Sequence, residues 1–181
     1  MQKTDKNQSF TAQLFVDHKP VALASKVIRK MLEAPDIAED FKLILEKKLE
    51  LYGDVLLSYT ENVIPETFLF DYHDDVYTIK IEGSDGNFQS TASMEGELRN
   101  LSVFNGNDPT YFRIINRLGE SSNLDDLPDE LNTIRLHTGP QRREVHTYGD
   151  APNFPVLTDY EKRGGKLVFF ELKIIKRNIA M

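Results

Sequence analysis

Apolar and polar residues alternate first at Phe10, Ala12, Leu14 and Val16, set against Thr11, Gln13 and Asp17. A period of two marks a strand, because successive side chains point to opposite faces. The period then lengthens. Leu23, Val27, Ile28, Met31 and Leu32 recur at helical spacing between Pro20, where a helix can begin, and Pro35, where one must stop. Asp36 and Glu39 have the spacing of a capping box, and Ile37, Phe41, Ile44, Leu45 and Leu49 form a second stripe closed by Gly53. The short join predicts an antiparallel helical hairpin over 20–53.

Beyond Asp54 the period returns to two. Val55 to Tyr59, Thr67 to Tyr72 and Val76 to Glu82 read as strands, and Asp85-Gly86 as a tight turn into a strand over Asn87–Ala92. Leu98 to Phe104 reads as a further strand. Asp108-Pro109 has the form of a cap and a first-turn proline. It predicts a helix with Tyr111, Ile114, Ile115 and Leu118 on its apolar face and Gly119 as its stop. Residues 120–130 are polar and loop-like. Thr133–Thr138 and Arg142–Thr147 are expected to pair around Gly139-Pro140, with Ile134 opposite Val145 and His137 opposite Arg142. Residues 149–155 read as loop. Lys166 to Arg177 is apolar on both faces, as a strand in the middle of a sheet should be.

The expected fold is therefore α+β. An N-terminal strand and an antiparallel helical hairpin pack on a mostly antiparallel β-sheet, with one further short helix. The domain plan is a disordered N-terminus over 1–8 and a single α+β domain over 9–181, its β-rich part running from 54 to 181.

Composition narrows the chemistry. The 181 residues include no cysteine, which removes disulfides, thiolate metal sites and a cysteine nucleophile together. The polar start of the chain lacks the apolar core of a signal peptide, and no apolar run approaches a membrane span. A soluble, cytoplasmic protein without a membrane partner is expected. The net charge of −7 is unevenly spread: residues 1–60 sum to zero, 61–130 to −11 and 131–181 to +4. Asymmetry of this kind bears on partners rather than on fold.

Two sets of residues carry the functional expectations. Asp74, Asp75, Asp125, Asp126, Asp129 and Glu130 are the candidate partner-binding acids of the middle third. His137, Arg142, Arg143 and His146 are the candidate ligand site. Histidine moves protons near neutral pH, and paired guanidiniums grip phosphate or carboxylate. Asp71, His73, Asp74 and Asp75 crowd oxygen and nitrogen ligands, but the spaced loop of a calcium site is absent and Asp-Asp is ordinary turn chemistry. No metal or other cofactor is expected. Neither G-x-S-x-G nor S-x-x-K occurs, and Ser121-Ser122 has no neighbouring base.

The basic C-terminal third interleaves Tyr148, Phe154 and Tyr160 with Lys162, Arg163, Lys166, Lys173, Lys176 and Arg177, as single-strand binders do. The acidic whole opposes nucleic acid, and the second predicted helix mixes acids with lysines and so makes a poor recognition helix.

The leading expectation is a non-catalytic protein-protein interaction protein (adaptor, inhibitor or immunity-type) using an acidic surface, with another protein as its partner. The alternatives are a small-ligand or nucleotide-binding module with an aromatic-lined pocket (Phe68, Phe70, Tyr72, Tyr77, Phe104, Phe112), or a phosphate-handling enzyme using the His137/Arg142/Arg143/His146 cluster.

Overall fold

The computed structural model describes residues 8–149, 155–163 and 165–179. The chain begins with strand β1 (Phe10–Val16), which turns through Asp17 and His18 into β2 (Lys19–Leu23). Helices α1 (Ala24–Leu32) and α2 (Glu39–Tyr52) follow, then β3 (Leu57–Tyr59), β4 (Phe68–His73), β5 (Val76–Glu82), β6 (Phe88–Glu95) and β7 (Asn100–Phe104). The rest of the chain is β8 (Phe112–Ile115), β9 (Ser121–Ser122), β10 (Leu131–Thr138), β11 (Arg143–Glu144), β12 (His146–Tyr148), β13 (Val156–Thr158) and β14 (Phe170–Lys176).

The protein is mostly β, with 43% strand and 18% helix, and its centre is a closed six-stranded barrel, so the expected α+β sheet bearing a helical hairpin is corrected. The barrel runs β1-β4-β5-β8-β10-β14 and returns to β1, with every pairing antiparallel. Closure depends on the first and last strands of the chain: Leu14 lies opposite Leu172, and Val16 opposite Phe170. A closed sheet has no edges to protect.

Alternation fills the barrel. Phe10, Ala12, Leu14 and Val16 of β1 meet Phe68 and Phe70 of β4, Tyr77 and Ile79 of β5, Phe112 and Ile114 of β8, Ile134 and Leu136 of β10, and Phe170 and Leu172 of β14, all buried. Phe10 and Phe70 stack with ring centroids 4.8 Å apart, and Tyr77 meets both edge-on. Offset stacks and edge contacts of this kind suit the ring quadrupoles.

β5 is a branch point of the sheet. Tyr77 pairs with Phe112 inside the barrel, while Ile79 to Glu82 pair with β6, which leads away through β7 and β13 to β12. A second, smaller core joins Ala22, Ala24, Val27, Ile28, Leu45, Leu56 and Val156 beneath the helices.

Several local expectations change. Pro20 lies in β2, opposite Phe15 of β1, and not at the start of a helix. α1 begins four residues later. There Glu66, 40 residues away, accepts the Leu23 amide at 2.8 Å and the Lys26 ammonium at 2.8 Å. The Asp36 capping box is absent, because α2 starts only at Glu39, after Ala38, with no side-chain cap. Only Leu45 of α2 is fully buried, and the expected core residue Ile44 is exposed. The helix predicted after Asp108-Pro109 is instead strand β8. Phe112, Ile114 and Ile115 are buried there because pairing with β10 and β5 outweighs a local start signal.

The disorder expected over 1–8 falls, for residues 1–7, outside the described residues. Gln8 is buried, and its side chain donates to Asp125 at 2.9 Å. Of the loop expected over 149–155, residues 150–154 likewise lie outside. No helix among the described residues is long and apolar enough to cross a membrane.

Candidate functional site

Strand direction sorts the candidate residues between the two ends of the barrel. β1 and β10 begin at one end and β14 finishes there, since both pair with it in antiparallel sense. The β4–β5 turn reaches the same end because β4 runs against β1. So does the connection from β8 to β10, residues 116–130.

This end gathers all six candidate partner-binding acids. Asp74 and Asp75 form the β4–β5 turn with φ of 51° and 72°. Two successive left-handed residues make the tight hairpin whose twist matches the strands, and Asp tolerates that region. Asp125 and Asp126 sit in a 3-10 turn over Leu124–Asp126, where Asn123 and Asp126 form a reciprocal cap. Leu124 and Leu127 are buried in the barrel core and stopper this end, while Asp125, Asp126, Asp129 and Glu130 remain exposed. Tyr77 anchors the stopper from inside. Its hydroxyl donates to the Gln8 carbonyl at 2.9 Å and accepts the Leu124 amide at 3.2 Å. Burial pushes its phenol well above the usual tyrosine range. Arg177 donates to the carbonyls of Leu127 (2.6 Å) and Asp129 (2.9 Å), pinning the segment before β10.

The crowded oxygens near this turn are divided among protein partners. Asp71 pairs with Lys80 at 3.2 Å and His73 at 3.4 Å, and Asp75 accepts the Tyr72 hydroxyl at 2.9 Å. Among the described residues, no three metal-ligating side chains converge as they would around an ion.

The ligand-site candidates lie toward the opposite end, and the structure does not gather them. The β10–β11 register is two residues from that expected. His137 faces Glu144, and Thr138 faces Arg143. A slip of two preserves the face of every side chain but changes its neighbours. Glu144 thus takes up both His137 (3.3 Å) and Arg135 (2.8 Å). Arg142 occupies the turn at φ 52° and is exposed, and Arg143 donates to Gln141 at 2.9 Å. His137 and Arg143 belong to adjacent cross-strand pairs and therefore lie on opposite faces of the hairpin. His146 is on β12, opposite Thr158. His137 Nδ1 and His146 Nε2 are buried and lack a hydrogen-bond partner among the described residues.

Among the described residues, the most buried charge is one that sequence reasoning missed. Asp159 is 0% exposed and receives a two-pronged contact from Arg99, Nε to Oδ1 at 2.9 Å and Nη2 to Oδ2 at 2.7 Å. The Thr138 hydroxyl donates to the same carboxylate. Asp159 holds Arg99 protonated more firmly than usual, chiefly through these hydrogen bonds. The group ties the β6–β7 turn to β10 and to the segment after β13. Its members are 60 and 21 residues apart in the chain, and no spacing announces them.

The basic third is dispersed. Arg163 stacks on Tyr148 with its guanidinium 4.0 Å from the ring centroid, whereas Lys176 and Arg177 sit at the acidic end. β14 alone spans about 20 Å between these regions. Phe154 lies outside the described residues. Most of the candidate pocket aromatics fill the barrel; the partly exposed Phe104, on β7, does not. An open cleft of about 480 Å³ lies on the surface between Tyr52, Leu98, Tyr148 and Arg163. No protein-family model matches the chain, and neither does any curated protein or solved structure.

Proposed function

We propose that the protein is a non-catalytic interaction module that docks a lysine- or arginine-rich segment of a protein partner on the acidic end of its barrel. One observation carries this reading. The fold brings Asp74-Asp75 and the 125–130 segment, about fifty residues apart in the chain, to one end of the barrel with all six carboxylates exposed. Acids collected on one surface raise the local concentration of a cationic partner and steer its approach. The filled barrel and the scattered His/Arg set favour binding over turnover. The absence of cysteine suits a cytoplasmic setting.

The test compares two variants of equal net charge. One carries Asp74→Asn, Asp75→Asn, Asp129→Asn and Glu130→Gln; the other carries Glu33→Gln, Glu39→Gln, Glu46→Gln and Glu50→Gln, on or beside the helices. Asn keeps the left-handed turn accessible, and Asp125 and Asp126 are spared because they hold local structure. The reading expects the first variant to bind an arginine-rich peptide at least tenfold more weakly than wild type, and the second to bind as wild type does. Equal weakening in both would leave only a general charge effect and overturn the reading.

A further inference from the structure

Among the described residues, helix α2 is covered on one side only. Leu45 faces the small core, with Phe41 and Leu49 packed beside it. On the opposite side Leu43 is 60% exposed, Ile44 52% and Leu51 54%. Single exposed leucines are ordinary on protein surfaces. Here three large apolar side chains share one stripe, because residues spaced by three, four, seven and eleven fall on one helical face. The stripe reads Asp40, Leu43, Ile44, Lys47, Leu51, and all five are exposed. Neither Asp40 nor Lys47 has an ion-pair partner among the described residues.

We infer that this stripe is the contact between two copies of the chain, packed as antiparallel α2 helices about a two-fold axis passing between Leu43 and Ile44. A two-fold contact uses the same patch on both molecules and so must be self-complementary. The stripe meets that demand. About the proposed axis, Leu43 of one copy faces Ile44 of the other, and Asp40 faces Lys47. Each copy thus gives one carboxylate and one ammonium, making two equivalent ion pairs on either side of an apolar centre. Leu51 extends over the segment just before the partner's α2. An axis through Lys47 would instead oppose two ammonium groups. A partner of uniform charge would leave either Asp40 or Lys47 facing its own sign.

The contact is small. A helix of fourteen residues is about 21 Å long. One such pair buries less than the ~800 Å² per partner of a standard stable interface. The association is accordingly weak and concentration-dependent, in the range of tens to hundreds of micromolar or weaker. It involves none of the acidic-end residues and is independent of the proposed function.

Sedimentation velocity of the full chain between about 10 µM and 1 mM tests the inference, with circular dichroism to confirm folding. The weight-average mass of wild type should rise from the monomer's 20.8 kDa toward twice that value. Asp40→Lys should remain monomeric, because it presents two cations to two cations, and Lys47→Asp should remain monomeric for the mirror-image reason. Mixed in equal amounts, the two variants should associate at least as well as wild type, since the two cations of one variant then meet the two anions of the other. Leu43→Ser should weaken association by roughly tenfold or more without altering the charge. A wild type that stays monomeric throughout, single reversals that associate like wild type, or a mixture that does not associate would each overturn the inference.

Discussion

Replacing Arg99 by alanine removes the two-pronged partner of a carboxylate that is completely buried. Asp159 would keep the Thr138 hydroxyl and lose both guanidinium contacts at 2.7 and 2.9 Å. Removing one member of a buried pair typically costs about 3–5 kcal/mol, because the remaining charge has no water to replace the contact. The Arg99 side chain is itself 32% exposed, so solvent can enter part of the space it vacates. The lower end of that range, about 3 kcal/mol, is therefore expected, a large share of the ~5–15 kcal/mol that holds a domain of this kind together.

Urea titration followed by circular dichroism measures the loss as a lower midpoint at an unchanged slope. Arg99→Lys should recover part of the stability, because a single ammonium cannot reproduce the fork. Removing both charges with Arg99→Met and Asp159→Leu should cost less than Arg99→Ala alone, since no unpaired charge remains. A loss below about 0.5 kcal/mol for Arg99→Ala, ordinary for an exposed side chain, would refute the reasoning. So would a double variant less stable than the single.

Tyr77→Phe should cost about 1–3 kcal/mol in the same urea titration, since it strands the Leu124 amide and the Gln8 carbonyl where water is scarce. The phenol's raised pKa means that folding favours the neutral form. That contribution is complete below the unfolded tyrosine value near 10 and lost as pH rises past it, so alkaline unfolding should be steeper in wild type than in Tyr77→Phe. Gly165→Ala should lower the melting temperature, because Gly165 has φ +107° and an added methyl would run into the Thr147 carbonyl. A melting temperature equal to that of wild type would show that the chain there is arranged differently.

Alternation made β1, β4 and β5 legible, and Asp85-Gly86 marked a real turn. Gly86 adopts φ 80°, and Asp85 accepts the Asn87 amide, which depresses its own pKa. Closure was not legible, because it rests on β1 meeting β14 across more than 150 residues, and pattern alone does not say which strands pair. The segment after Pro109 misled because the Asp108-Pro109 start signal is purely local, and the strand begins only at Phe112, three residues beyond the proline. What decided it was burial of Phe112 and Ile114 between two partners.

The helical pattern around Ile37–Leu49 marked a helix and most of its covered face: Ile37, Phe41, Leu45 and Leu49 pack on the small core, whereas Ile44 of the same stripe points to solvent. The acidic residues could be named from composition, but their meeting at one end follows from strand direction. The His137/Arg142/Arg143/His146 set is not brought together, and register is the reason. A slip of two residues placed Glu144, where Arg142 was expected, opposite His137.

On the proposed function, the acidic end of the barrel receives a cationic protein segment. The most direct test maps backbone amide shifts by NMR during titration with an arginine-rich peptide. Changes should concentrate at residues 72–76 and 116–130 and weaken steeply with added salt, with little change at 137–146 or along α2. Changes centred on the His137–His146 hairpin, or spread evenly over the surface, would contradict it.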